Sequence, residues 1–215
     1  MAKEQAAAYE QLLRQGGDRA LREASAYFAG AGRLHNALRR LTQRLDAEDI
    51  PYALLGGLAL AEHGYPRLTE GIDLLVTPSG LERFRRQLVG QEYRPALSSK
   101  RREARKTFRD TETGVRIEIV TTGEYPGDGL PKPVASPDPA DSGVTVEMEG
   151  VRVVTLEKLI ELKLASRTSA PHRLRDLADV QDLIVRLGLP LELADRLDSS
   201  VQAAYRDLWE KAHAE

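Results

Sequence analysis

The chain has no cysteine, one tryptophan, three phenylalanines and a net charge of only -2. Without cysteine there are no disulfides, no thiolate metal sites and no thiol nucleophile. An aromatic content of 5% gives little support to stacking platforms for single-stranded nucleic acid. A nearly balanced charge gives no global attraction to nucleic acid, so any such contact needs a local patch. No apolar run reaches membrane-spanning length, and MAKEQAAAYEQLL lacks the apolar core of a signal peptide. The expectation is a cytoplasmic protein with no membrane partner. Hydrophobic residues at 41% and charged residues at 30% describe an ordinary globular chain. Its 215 residues suffice for one core with room for a small helical appendage.

What is present falls into three stretches. Residues 1–48 read as helix: Lys3 to Arg14, a Gly16-Gly17-Asp18 break, Arg19 to Ala29, then Leu34 to Leu45. Leu34, Leu38, Leu41 and Leu45 recur at helical spacing, and Arg39, Arg40 and Arg44 read as a solvated face. Over 49–155 the signals alternate. Strands are predicted at Tyr52 to Leu55, Ile72 to Val76, Lys106 to Asp110, Val115 to Thr121, Val144 to Glu147 and Val151 to Thr155. Short helices are predicted at Leu58 to His63 and Leu81 to Val89, the second opened by Thr77-Pro78-Ser79. The segment from Gly123 to Pro139 is rich in Gly and Pro and reads as a long ordered loop or a lid. Residues 156–215 read as helices from Leu156 to Arg167, Pro171 to Leu187 and Pro190 to about Ala212. The whole predicts an α/β (α+β) core with a mixed sheet, framed by helices at both ends.

Three features carry chemistry. Gly56-Gly57, between a strand and a helix, lets backbone N–H groups approach a polyphosphate, or makes a tight turn and nothing more. Asp73 lies in Ile72-Asp73-Leu74 and Glu118 in Ile117-Glu118-Ile119. A carboxylate between aliphatic neighbours on a strand is costly unless it has a cation or a wet face. Carboxylates from adjacent strands are the usual holders of divalent ions in phosphoryl chemistry. Alternation along the strand puts Gly71 on the face of Asp73 and turns Glu70 to the other.

Gly56-Gly57, Arg67-x-Thr69, Ile72-Asp73 and the later acidic strand at Glu118 together resemble the nucleotidyltransferase superfamily of the DNA polymerase β type. Within it the likeness is to the small bacterial nucleotidyltransferases of the abortive-infection (AbiEii) and MNT-toxin kind, and it covers Leu34 to Leu187. Those proteins read Thr-x-Asp-Ile-Asp where this chain reads Thr69-Glu70-Gly71-Ile72-Asp73, so Gly71 stands in place of the first metal-binding aspartate. Lys163, nine residues, Arg173, two residues and Asp176 resemble a further element of the toxin-like branch, with Arg173 for the usual lysine.

The resemblance implies a nucleotidyltransferase-type sheet and Mg²⁺ held by Asp73 and Glu118. It implies a catalytic set of Asp73, Glu118, Lys163 and Asp176, and contacts to an NTP from Gly56, Gly57, Arg67, Thr69, Lys163 and Arg173. The acceptor would be a hydroxyl on RNA or protein, with an antitoxin as a further partner. Gly71 opens a second reading, a nucleotide- or RNA-binding protein that has lost catalysis; antibiotic modification on the same fold is a third. On the first reading, Gly71→Asp is expected to raise Mg²⁺-dependent turnover.

Residue-level alternatives stand beside these roles. Lys163 could snorkel to water, Arg175 and Asp179 could form a helical ion pair, and Arg67 could have a structural partner. The basic run Lys100, Arg101, Arg102, Arg105, Lys106 and Arg109 could meet RNA or acceptor phosphates, or be a solvated loop. The four histidines lie at no metal-ligand spacing.

Overall fold

The computed structural model describes residues 8–96, 106–167 and 174–214. Arg173 and most of the basic run, including Lys100, Arg101, Arg102 and Arg105, lie outside the described residues.

The N-terminal helices are α1 (Tyr9–Gln15), α2 (Gly17–Phe28) and α3 (Gly32–Ala47). The leucine stripe of α3 is buried, Leu34 and Leu41 almost completely, and each such side chain contributes about 1.5–3 kcal/mol by leaving water. Its arginines are not simply solvated. Arg40 pairs with Glu112, and Arg44 with Glu92 at 3.2 Å, tying the helix to the sheet edge.

The sheet strands are β1 (Tyr52–Leu55), β2 (Gly71–Val76), β3 (Tyr93–Pro95), β4 (Thr107–Asp110), β5 (Arg116–Thr121), β6 (Thr145–Met148) and β7 (Val151–Val154). They form one mixed seven-stranded sheet in the order β3-β4-β5-β2-β1-β7-β6. β1 runs antiparallel to β2, while β2 with β5 and β1 with β7 are parallel. The two hairpins, β4–β5 and β6–β7, thus flank a central pair. That pair is apolar on both faces, apart from Asp73, and every residue of β1 is buried, as a centre covered on two sides requires. β3, absent from the predicted strands, pairs its three residues with β4 at the edge.

Between the strands run α4 (Gly56–Glu62) and α5 (Pro78–Gln87). Thr77 caps α5 by accepting from the Gly80 N–H at 2.9 Å, with proline at the helix start. The C-terminal helices are α6 (Leu156–Arg167), α7 (Leu174–Leu187) and α8 (Ser199–His213), which pack on one another. The single helix predicted from Pro190 divides into a 3₁₀ turn (Leu191–Arg196) and α8. Asp198 separates them because its carboxylate accepts from the Ser200 N–H at 2.9 Å and so starts a new helix. Gly123 to Pro139 contains no helix or strand. Its base is closed by backbone bonds from Gly123 N to Ser136 O (2.8 Å) and from Ser136 N to Glu124 O (2.7 Å).

Candidate active site

Asp73 of β2 and Glu118 of β5 are register partners in the parallel ladder, so their side chains leave the same face side by side. They lie in a cavity of about 550 Å³ that Leu55, Gly56, Lys106, Lys163 and Asp176 also line, with the Glu124–Gly129 part of the long loop forming its outer wall. That volume is in the range of small-molecule sites.

Gly56 is where the chain turns from β1 into α4, at φ +61°. A Cβ added there would overlap the Asp73 carboxylate. Two requirements therefore meet in one glycine: a left-handed backbone and a close approach of backbone to acid. Gly57 has a packing role. It is buried, and its Cβ position is 2.7 Å from the Thr69 Cβ. The Thr69 hydroxyl in turn donates to the Gly71 carbonyl at 3.4 Å, closing the entry to β2 from within.

The Asp73 carboxyl is pushed up from 3.8 to about 6. Loss of water is the main cause and the Glu118 charge the next, opposed by Arg116, Lys163 and Arg67. Two acids held together in a partly dry cleft form a centre that gains from added positive charge.

Part of that charge is built in. Lys163 projects from a turn of α6 whose neighbours are buried on all sides, and its ammonium donates to Asp179 (2.7 Å) and Asp176 (3.1 Å) of α7. Ser166 donates to the other oxygen of Asp176 at 2.5 Å. Arg67 forms a two-pronged pair with Asp179 at 2.7 and 2.8 Å, and the Tyr27 hydroxyl donates to the Arg67 carbonyl. Asp179 is 2% exposed and satisfied by two cations, the arrangement a buried carboxylate requires. The solvated Lys163 and the Arg175–Asp179 ion pair are thus replaced by one network joining the approach to β2 with α6 and α7. Asp179 was legible only as a residue three positions after Asp176, hence on the same helical face.

Glu70 turns away, as strand alternation predicts, and pairs with Arg14 at 2.7 Å. Of the basic run's described members, Lys106 reaches the cavity but is held by Thr121 (2.9 Å) and Glu124. Arg109 is held by Glu10 at 2.6 and 2.9 Å and fixes α1 to the hairpin.

The Gly71 position is closed. A Cβ there would stand 2.7 Å from the Arg116 backbone oxygen, so something must shift before any larger residue fits. Gly71→Asp, expected to restore a metal ligand, therefore meets a backbone obstacle and needs β2 and β5 to shift against each other. Among the described residues, no group of three or more His, Cys, Asp or Glu could hold a metal ion. Asp73 and Glu118 are adjacent carboxylates in the cavity, the kind of oxygen donors that could contribute to a Mg²⁺ site.

No described helix is long and apolar enough to cross a membrane. Residues 5–204 match a family described as uncharacterised nucleotidyltransferase. No curated protein matches the chain. Among solved structures, the chain is similar to ANT(2'')-Ia in complex with adenylyl-2''-tobramycin, with 12% identity, TM-score 0.51, and coverage of 83% of this chain and 98% of that one. The solution structure of the antibiotic-resistance factor ANT(2'')-Ia gives 14% identity and a TM-score of 0.50 over 82% and 95%. An antigenic nucleotidyltransferase-like protein from Paracoccidioides brasiliensis gives 18% identity and a TM-score of 0.46 over 82% and 90%. At these identities the ANT(2'')-Ia likeness establishes the fold alone.

Proposed function

The chain belongs to the family of uncharacterised nucleotidyltransferases, and from that premise we propose that it moves a nucleoside monophosphate from an NTP to a hydroxyl acceptor. The observation that carries this reading is the juxtaposition of Asp73 and Glu118 in register, against the Gly56 turn and facing Lys163 across one cavity. The acceptor oxygen attacks the α-phosphorus, the bond from that phosphorus to the bridging oxygen breaks, and pyrophosphate leaves. The hydroxyl proton passes to Glu118, whose side chain is 34% exposed and has access to the cavity.

Asp73 and Glu118 are the residues that would hold Mg²⁺. A bound ion supplies charge neutralisation at the phosphates. Lys163, fixed between Asp176 and Asp179, orients toward the polyphosphate and resists displacement because both its partners are anchored on α7. Arg67 and Thr69 then act through the shape of the Gly56 turn and the β2 entry, and Arg173 adds a further cation for the nucleotide. The toxin-like element at Lys163, Arg173 and Asp176 favours, as acceptor, a hydroxyl on RNA or protein, with an antitoxin as regulator.

The test is transfer of label from α-³²P-NTPs to total RNA, to protein and to small hydroxyl compounds, with Asp73→Asn and Glu118→Gln as controls. Transfer that both substitutions abolish supports the proposal; transfer that survives both ends it. Binding without turnover is the second reading, favoured by the closed Gly71 position, and a Mg²⁺-dependent nucleotide thermal shift without product identifies it.

A further inference from the structure

On β5, Arg116 precedes Glu118 by two residues and shares its face. Its Nη2 lies 3.3 Å from Glu118 Oε2, and its charge is the strongest of those that offset the raised Asp73 carboxyl. The Arg116 Nε is buried without a hydrogen-bond partner among the described residues, so the guanidinium is only partly satisfied where it lies. Opposite it in register is Gly71, with no side chain, packed so closely on the Arg116 carbonyl that a side chain there needs a backbone shift. Arg116 therefore supplies a positive charge beside the two acids.

We infer that Arg116 is a resident counter-ion for the Asp73–Glu118 pair, a positioning residue that holds Glu118 and competes with the divalent ion for it. This rests on the proposed reading of Asp73 and Glu118 as the ion-holding pair. A divalent ion held by Glu118 would compete with Arg116 for that carboxylate, and a guanidinium released from it would be available to an incoming phosphate. The charge set is then one ion plus one arginine.

The experiment is Mn²⁺ binding to the nucleotide-free protein, followed by electron paramagnetic resonance, for wild type, Arg116→Met, Arg116→Lys and Glu118→Gln. Removing an ion pair this exposed is worth a modest factor, so Arg116→Met should bind Mn²⁺ about fivefold more tightly. Arg116→Lys keeps the charge and should stay within about twofold of wild type. Glu118→Gln should weaken binding. If Arg116→Met does not fold, Arg116→Gln reads the same effect.

Equal or weaker affinity without the arginine overturns the inference, as does equal tightening by lysine, since the charge would then not be the cause. If Glu118→Gln weakens binding while Arg116→Met changes nothing, only this inference falls. If Glu118→Gln also leaves Mn²⁺ binding unchanged, or if neither wild type nor Arg116→Met binds the ion, the proposed ion site falls with it.

Discussion

The backbone of Gly56 lies directly under the carboxylate of Asp73, so closely that no Cβ fits between them. Gly56 also holds φ +61°, where other residues are strained. Gly56→Ala should therefore cost about 1–3 kcal/mol from the backbone alone, with further loss from displacing Asp73. The expected outcome is a lowered melting temperature and no nucleotide-dependent thermal shift in a protein whose far-ultraviolet circular dichroism is unchanged. A variant that still shifts with nucleotide and Mg²⁺ would show that this turn is structural only.

Gly71 makes a different demand. Its backbone is extended, so the obstacle to a side chain is the Arg116 carbonyl alone. Gly71→Ala should destabilise by about 1–3 kcal/mol, the usual range for overpacking, and Gly71→Asp by at least as much, with no gain in Mn²⁺ affinity. Urea unfolding of both variants, with Mn²⁺ binding measured at temperatures where they are folded, checks this. Tighter Mn²⁺ binding by Gly71→Asp at matched folding would mean that the two strands move apart and admit a third ligand.

The sheet and most helices were legible because their signals are local. A short apolar run gives β2, alternating apolar residues give β5, the leucine stripe gives α3, and Thr77-Pro78 starts α5. β3 was not legible, since three residues at a sheet edge have no period of their own. The division at Asp198 was missed because the apolar spacing continues across it and only the cap breaks it. In the site, strand alternation placed Asp73 and Gly71 on one face, whereas Arg116, two residues before Glu118, was not singled out from sequence. Sequence could not reveal that Asp179 serves Arg67, which is 112 residues away, or that a backbone oxygen fills the space at Gly71. Both depend on how β2 meets β5 and α7.

The raised Asp73 carboxyl links stability to pH. Its value moves from 3.8 to about 6, so the folded chain holds that proton more tightly than the unfolded chain does. The stability it contributes is complete below about pH 4 and is lost as pH rises through about 6. Asp73→Asn removes this loss. In the absence of metal, the variant should be more stable than wild type at pH 7 by about 1–3 kcal/mol, and the gain should vanish near pH 4. Denaturant titrations at pH 4, 5, 6 and 7 in EDTA read the difference; a gain that is constant with pH would assign it to something other than this proton.

Asp179 is the residue whose loss the network tolerates least. It accepts two bonds from Arg67 and one from Lys163 while almost wholly buried. Removing one member of such a set leaves the remaining charges without compensation, so Asp179→Ala should cost about 3–5 kcal/mol. Lys211→Ala, which breaks an exposed pair with Asp207 one helical turn away, should cost about 0.5 kcal/mol or less. Equilibrium unfolding in urea compares the two. The further variant Asp179→Asn keeps the volume but only one carbonyl oxygen, so it cannot serve both cations as a charge. It should recover part of the stability while still weakening nucleotide binding, because Lys163 loses one of the two carboxylates that hold it at the cavity. Full recovery of nucleotide binding by Asp179→Asn would separate the network's role in folding from any role in placing Lys163.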